Sequence, residues 1–341
     1  MIFKKVDKIS DDVYRIIRSF ENYSIYHSKP WHLFLNKTFN WDVNFVLGIN
    51  DGKVCFILPY IEKKRYNLKK YTIALPFSHK VNIAFDLELS DYLAEFETKV
   101  TQNFSNFEIH DECISHVFNK ISSNNITQID LHQFKDIEHI YKSFDYKSIR
   151  YEINKFHKFN LLVKCDISDS AASDFYNLEL TTRKRLGSPI YPKSFFKNLF
   201  STLCVKDIFV KIVYHESKPI AGIIILKDND TALYAYSASS DTMKSKKLHS
   251  TEYLIFEGIK WAYENNCRHF DFGTTPNHLT GLKNFKEKWG GVSSKINYSY
   301  FKINNNVDRT SFPAKMVSKI LSHLPDKLFE SFSQIIIKYV V

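Results

Sequence analysis

The chain has 341 residues, of which 16% are aromatic and 25% charged; it is too long for one ordinary domain of roughly 100–200 residues and too apolar for a disordered protein. A formal net charge of +10 favours anionic partners such as nucleic acid, nucleotide-linked substrates or anionic membranes without choosing among them. Five scattered cysteines (Cys55, Cys113, Cys165, Cys204 and Cys267), never at C-x-x-C spacing, argue against a disulfide framework or a zinc site.

The N-terminal stretch Met1–Asp7 lacks the apolar run of a signal peptide, and no segment approaches the ~20 apolar residues of a membrane span. A cytoplasmic protein is the expectation. Trp41 to Leu47 and Lys53 to Ile61 read as strands joined by Asn50-Asp51-Gly52, a hairpin turn signal. Tyr71 to Leu75 reads as a further strand stopped by Pro76. Between Ile109 and Ser123, Ile114, Val117, Phe118 and Ile121 recur at helical spacing, and Gln128 to Leu131 returns to strand.

A second lobe is expected from near Tyr151, with a helix around Ala171 to Thr182. Three strands follow, at Ile208 to Tyr214, Ile220 to Lys227 and Thr231 to Ser237, close enough in sequence to form an antiparallel meander. Leu248, Thr251, Ile255, Ile259 and Ala262 then fall on one helical stripe that stops at Asn265-Asn266, and Arg268 to Phe272 forms a strand ending at Gly273. From Phe312 onward, Met316, Ile320, Leu324, Leu328 and Phe332 recur near helical spacing, with Lys315, Lys319 and Lys327 between them and a break at Pro325. This tail either packs on the body or rests on an anionic membrane. The class is α/β with mixed (α+β) sheets, divided into lobes 1–150 and 151–310 and a helical tail 311–341.

The run Phe270-Asp271-Phe272-Gly273, followed by Gly281-Leu282, Phe285-Lys286 and Trp289-Gly290, resembles the C-terminal signature of the FemAB-like acyltransferases. Pro30-Trp31, Phe34-Leu35, Leu58-Pro59, Leu75-Pro76-Phe77-Ser78, Thr182 to Pro189 and Phe195-Phe196 extend the resemblance over residues 30–291. It implies two tandem GNAT-like acyltransferase lobes with no bound cofactor. The implied acceptor is an amino group on a nucleotide- or lipid-linked cell-envelope precursor, a peptidoglycan peptide or a polysaccharide amino sugar. The implied co-substrate is aminoacyl-tRNA or acyl-CoA.

Ser237 to Leu248 contains no glycine, although a glycine-rich turn opening a helix is what lets backbone N–H groups cradle a pyrophosphate. That weakens acyl-CoA as donor. No long pair of heptad-patterned helices supplies a tRNA-binding arm, so tRNA would have to rest on basic surface. Two stretches qualify: the cations Arg183, Lys184, Arg185, Lys193, Lys197, Lys206 and Lys211, and the Lys283, Lys286 and Lys288 loop. The plain alternative for each is a solvated charged face.

Amide formation needs a proton acceptor and donors for an oxyanion. Glu179, Asp271 and Glu252 are the carboxylates that could take the proton. Asp271 projects opposite to Phe270 and Phe272, and a structural hydrogen-bond acceptor is its alternative. Lys286, Lys283 and Arg183, with Arg185 in the same run, are the phosphate-binding candidates. Tyr234 and Tyr236 alternate along one strand and are expected to share a face, where they either line a substrate cleft or simply pack with their polar tips exposed. Phe285 and Trp289 read as core anchors, His32 as a surface or satisfied core histidine, and no metal site is expected. Two rivals stand beside envelope-precursor transfer: coenzyme A-dependent acylation of a polysaccharide amino sugar, and a non-catalytic tRNA- or glycan-binding protein.

Overall fold

A computed structural model describes residues 1–64, 70–78, 80–111, 114–302 and 312–340. The chain forms two compact units, one of Met1–Asn124, Lys295–Asn306 and Lys338–Val341, the other of Asn125–Ser294 and Val307–Ile337. Both carry mixed sheets with helices. Cys113 lies outside the described residues.

The first unit contains β1 (Ile2–Val6), α1 (Asp11–Ile16), α2 (Lys29–Phe39), β2 (Asn44–Asn50), β3 (Lys53–Lys64), β4 (Lys70–Ile73), β5 (Ala84–Phe85), α3 (Leu93–Asn103) and β6 (Phe107–Ile109). Its sheet runs β1-β2-β3-β4-β6, with β5 pairing β3. The β2–β3 hairpin turns at Asp51-Gly52, as the sequence requires. Helix α2 starts where Ser28 caps it, the hydroxyl accepting from Trp31 N at 3.3 Å, and Pro30 occupies its first turn, where a missing N–H costs nothing. Its apolar stripe Trp31, Phe34 and Leu35 is fully buried. His32 is a core histidine with both nitrogens engaged, by Tyr14 Oη at 2.8 Å and Tyr26 O at 2.9 Å.

The helix expected between Ile109 and Ser123 does not form. Glu97, buried on α3, accepts from the backbone N–H groups of Ile114 and Ser115 and holds that stretch in a turn. The chain then enters a strand at Asn119, and Ile114 and Val117 are exposed. Apolar spacing over a dozen residues does not distinguish a helix from such a turn when a distant carboxylate supplies the competing hydrogen bonds.

The chain continues through β7 (Asn119–Asp130), α4 (Ile137–Ser143), α5 (Tyr151–Phe156), β8 (Leu162–Cys165), α6 (Asp169–Arg185), α7 (Phe195–Thr202), β9 (Ile208–His215), β10 (Lys218–Asp228) and β11 (Thr231–Ser239). There follow α8 (Asp241–Ser245), α9 (Ser250–Glu264), β12 (His269–Pro276), α10 (Thr280–Glu287), β13 (Val292–Phe301), α11 (Phe312–His323) and α12 (Asp326–Val340). The sheet of the second unit runs β7-β12-β11-β10-β9-β8. The expected meander is β9–β10–β11, antiparallel throughout, whereas β11 and β12 pair in parallel.

Alternate residues of β10 face opposite helices. A side chain added at Gly222 would meet Phe175 and Leu178 of α6, whereas Ile223 and Ile225 pack against Gly258 of α9. The boundary between units falls at Asn124/Asn125, ahead of the expected 150/151 division. Residues 137–156 join the second unit because Ile140, Phe144, Ile149, Ile153 and Phe156 belong to its core, with Ile255, Ile259 and Trp289.

Helix α6 ends at Gly187, whose φ of +60° favours glycine. A Cβ there would stand 2.1 Å from Ser318 Oγ and 2.3 Å from Ser318 O on α11. Gly187→Ala therefore meets both backbone strain and a steric clash. It is expected to destabilise the second unit by about 1–3 kcal/mol, measurable as a fall in denaturation midpoint.

Candidate active site

Strands β11 and β12 are hydrogen-bonded neighbours only at their starts. Thr231, Ala232 and Leu233 pair with His269, Phe270 and Asp271, and both strands run on, to Ser239 and Pro276, beyond that pairing. Where the ladder stops, the facing edges of the two strands are no longer joined by main-chain pairing, and this break is the wedge of the sheet. A β-bulge deforms β11 at the same level. Ile224 opposes Tyr236 while Ile225 opposes Tyr234, so Ala235 is the extra residue.

The bulge overturns the expectation that Tyr234 and Tyr236 share a face. Each tyrosine follows its cross-strand partner, and Ile224 and Ile225 point to opposite sides of β10. Tyr236 turns to the α6–α7 side, with ring centroids 5.7 Å from Phe195 and 5.6 Å from Phe196. Tyr234 turns to the α9 side, 5.9 Å from Phe272. Alternation read from sequence misses a single inserted residue, which reverses every later side chain.

On the α6 side, Arg183 is a bridge. Its Nε donates to Glu179 Oε1 at 2.5 Å and its NH2 to Tyr191 Oη at 2.8 Å, with the guanidinium 4.7 Å from the Tyr191 ring centre. Burial opposes the charge of Arg183, but Tyr191 and Glu179 outweigh it and the pKa rises. Tyr191 stacks on Phe195 at 4.1 Å and meets Tyr236 edge-on at 5.9 Å. Glu179, 2% exposed, lies under this aromatic group. Tyr191 gave no sequence signal, since it sits between Ile190 and Pro192 in an irregular segment eight residues from its partner.

Arg185 reaches the end of β11 instead, donating to Ser239 O at 3.3 Å and Asp241 Oδ1 at 3.0 Å. Thr182 Oγ1 adds a bond to Ser239 O at 3.1 Å. These contacts fix the turn that leaves β11. The basic run as a whole is largely neutralised: besides Arg183 and Arg185, Lys184 pairs with Asp326, Lys193 with Glu330, Lys197 with Asp169 and Lys211 with Glu257. Six of its seven cations thus have acidic partners.

At β12, Asp271 is 2% exposed. It accepts from Gln128 Nε2 at 3.0 Å and Gly273 N at 2.6 Å, an arrangement that fixes the turn at Gly273, where φ is +70°. The segment after Gly281 is α10, not a loop, so its lysines separate. Lys283 stays on the surface in an i,i+4 pair with Glu287 at 3.5 Å. Lys286 is 5% exposed, and its Nζ donates to Gly273 O at 2.8 Å and Thr274 O at 3.2 Å. Burial pushes its pKa down to about 8, with nearby Asp271 pulling the other way. Lys286 thus places a cation against the part of β12 that runs beyond its pairing with β11. The helical spacing of Leu282, Phe285 and Trp289 was the available signal for α10; Phe285 and Trp289 do pack in the core.

On the α9 side, the helix opens at His249 with φ +53°. The His249 ring is hydrogen-bonded to Glu152, and Glu252 occupies the first turn. The Glu252 pKa is raised, by burial first and by Glu152 in addition. Tyr234, pushed up to about 12 chiefly by burial, lies within the electrostatic reach of Glu252 and bonds Ser237. Helix N-termini normally attract anions, but here two carboxylates oppose one. No group of His, Cys, Asp and Glu suited to a metal ion occurs among the described residues.

The profile of the acetyltransferase (GNAT) domain family matches residues 144–287. In fold the chain is similar to the crystal structure of FemX, with a TM-score of 0.65 and 14% identity over 94% of this chain and all of that one. It is also similar to the C-terminal domain of a protein described as a lysylphosphatidylglycerol synthetase from Agrobacterium fabrum, with a TM-score of 0.55 and 12% identity over 91% of this chain and 94% of that one. A tandem GNAT protein from the clavulanic acid biosynthesis pathway aligns with a TM-score of 0.50 and 8% identity over 87% of this chain and 98% of that one. No functionally curated protein matches at the sequence level.

Proposed function

We propose that this acyltransferase, whose residues 144–287 form a GNAT domain, joins an acyl or aminoacyl group to an amine on a cell-envelope precursor. The wedge between β11 and β12 carries the reading, because the two strand ends and the bulge at Ala235 offer main-chain groups to an acyl carbonyl. The amine attacks that carbonyl, backbone N–H groups beside the bulge hold the developing oxyanion, and the thiolate or ribose oxygen of the donor leaves. Glu252 takes the proton of the amine. Its raised pKa and partial exposure suit that work better than Glu179, engaged by Arg183, or Asp271, engaged by Gln128 and Gly273. Lys286 supplies positive charge to the anionic part of the donor or to the oxyanion.

A GNAT domain makes acyl-CoA the default co-substrate. The start of α9 argues for the other donor: it has no glycine turn, and Glu252 and Glu152 stand where a pyrophosphate would dock. Aminoacyl-tRNA is therefore our leading donor. Contact with tRNA then falls to cations other than the six paired ones of that run. The likeness to a protein described as a lysylphosphatidylglycerol synthetase supports aminoacyl transfer to an envelope molecule, nucleotide- or lipid-linked.

The test offers purified protein charged tRNA or acyl-CoA together with amino-bearing nucleotide sugars and peptidoglycan precursors. Product formation from charged tRNA that is abolished by prior ribonuclease treatment is the expected result. Turnover of acyl-CoA alone transfers the assignment to the coenzyme A rival. A salt-sensitive tRNA complex without turnover of either donor leaves a binding protein.

A further inference from the structure

Among the described residues no helix is long and apolar enough to cross a membrane, yet α11 and α12 keep large apolar side chains in solvent. On α12, Phe329 and Ile337 are buried against the body, while Leu328, Phe332 and Ile335 are 49–51% exposed. Those three lie at i, i+4 and i+7, on one stripe away from the buried one. On α11, Leu321 is buried, whereas Met316, Val317 and Ile320 are 46–53% exposed. Both helices are thus apolar on two faces, one more than packing requires.

The charges are sorted in the same way. The tail contains Asp326 and Glu330 as its only acids against four lysines. Both acids are ion-paired, Glu330 largely covered and Asp326 at the surface: Lys184 Nζ donates to Asp326 at 2.6 Å, Tyr176 Oη donates to Glu330 at 3.0 Å, and Lys193 Nζ lies 3.3 Å from Glu330. Lys319 and Lys327 remain exposed on the helices that carry the apolar stripes. A surface of exposed Leu, Ile, Phe and Met edged by lysine, with both of its carboxylates ion-paired to lysines of the body, matches the interfacial zone of an anionic bilayer, where apolar side chains enter the acyl boundary and lysines meet phosphates.

We infer that α11 and α12 dock this protein onto the surface of an anionic lipid bilayer. The docking does not rest on the acyl-transfer reading, because lipid binding is measured without turnover.

The full chain is floated with vesicles of phosphatidylcholine containing about 30% phosphatidylglycerol, and with phosphatidylcholine alone. Binding to the anionic vesicles, weakened by salt and by omission of phosphatidylglycerol, is the expected result. Leu328→Ser/Phe332→Ser/Ile335→Ser lowers the bound fraction at least about tenfold, and Lys319→Glu/Lys327→Glu lowers it with the apolar stripes intact. Phe332→Trp, placed above the background of the four native tryptophans, shifts its emission to the blue on lipid addition. Absence of vesicle binding by the unaltered chain, or equal binding by both surface variants, overturns the inference. So does a solution dimer that Phe332→Ser converts to monomer, since the face then belongs to a second copy.

Discussion

Arg183→Ala is expected to lower the melting temperature of the second unit by roughly 10 °C, the largest loss predicted for any single side chain here. The cause is what remains behind. Glu179 is 2% exposed, receives the Arg183 Nε at 2.5 Å and lies within electrostatic reach of the buried Tyr191. Without the guanidinium, a carboxylate is left in an apolar setting, and such uncompensated charges cost about 3 kcal/mol or more. Arg183→Lys restores charge but not the fork that reaches Glu179 and Tyr191 together, so it recovers only part of the loss. Glu179→Met/Arg183→Met removes both charges and is expected to be more stable than Arg183→Ala. Scanning calorimetry of the four proteins decides the matter, and an Arg183→Ala midpoint within about 1 °C of the parent refutes the account.

Much of this fold was readable because its signals are local. The turn at Asp51-Gly52, the meander from Ile208 to Ser237 and the amphipathic stripe of α9 each depend on residues within one or two elements. Two of the departures depend on single distant or inserted residues. Glu97, in another helix, captures Ile114 and Ser115 and prevents the expected helix. Ala235, one extra residue, sends Tyr234 and Tyr236 to opposite faces. Neither has a periodic signature.

The candidate site was legible in its residue types but not in its pairings. Glu179 and Arg183, at i,i+4 on one helix, could be joined on paper. Gln128 with Asp271 and Glu152 with His249 span 143 and 97 positions, and only the fold brings them together. The basic run shows the same limit from the other side. Counted in sequence it faces one aspartate, but in the folded unit acids from α6, α9, α12 and the start of α8 meet it. A linear charge count reports composition, and burial plus pairing decide which cations remain for a ligand.

These pairings separate the two groups on which the pH dependence of transfer should turn. Glu252 acts as a base only when ionised, so activity rises as pH climbs past its raised pKa. Lys286 acts as a cation only when protonated, so activity falls as pH passes about 8. The profile of kcat/KM is therefore bell-shaped, with its alkaline limb two or more units below that of an ordinary lysine. Glu252→Gln is expected to lower kcat by ~10²–10⁴ and to erase the acid limb. Lys286→Gln lowers kcat by ~10²–10³ and erases the alkaline limb. The limbs distinguish chemistry from support. If Lys286 only straps Gly273 O and Thr274 O, its loss lowers the melting temperature and leaves the shape of the profile unchanged. An unaltered alkaline limb in Lys286→Gln thus removes the cation from the reaction, and an unaltered acid limb in Glu252→Gln removes the base.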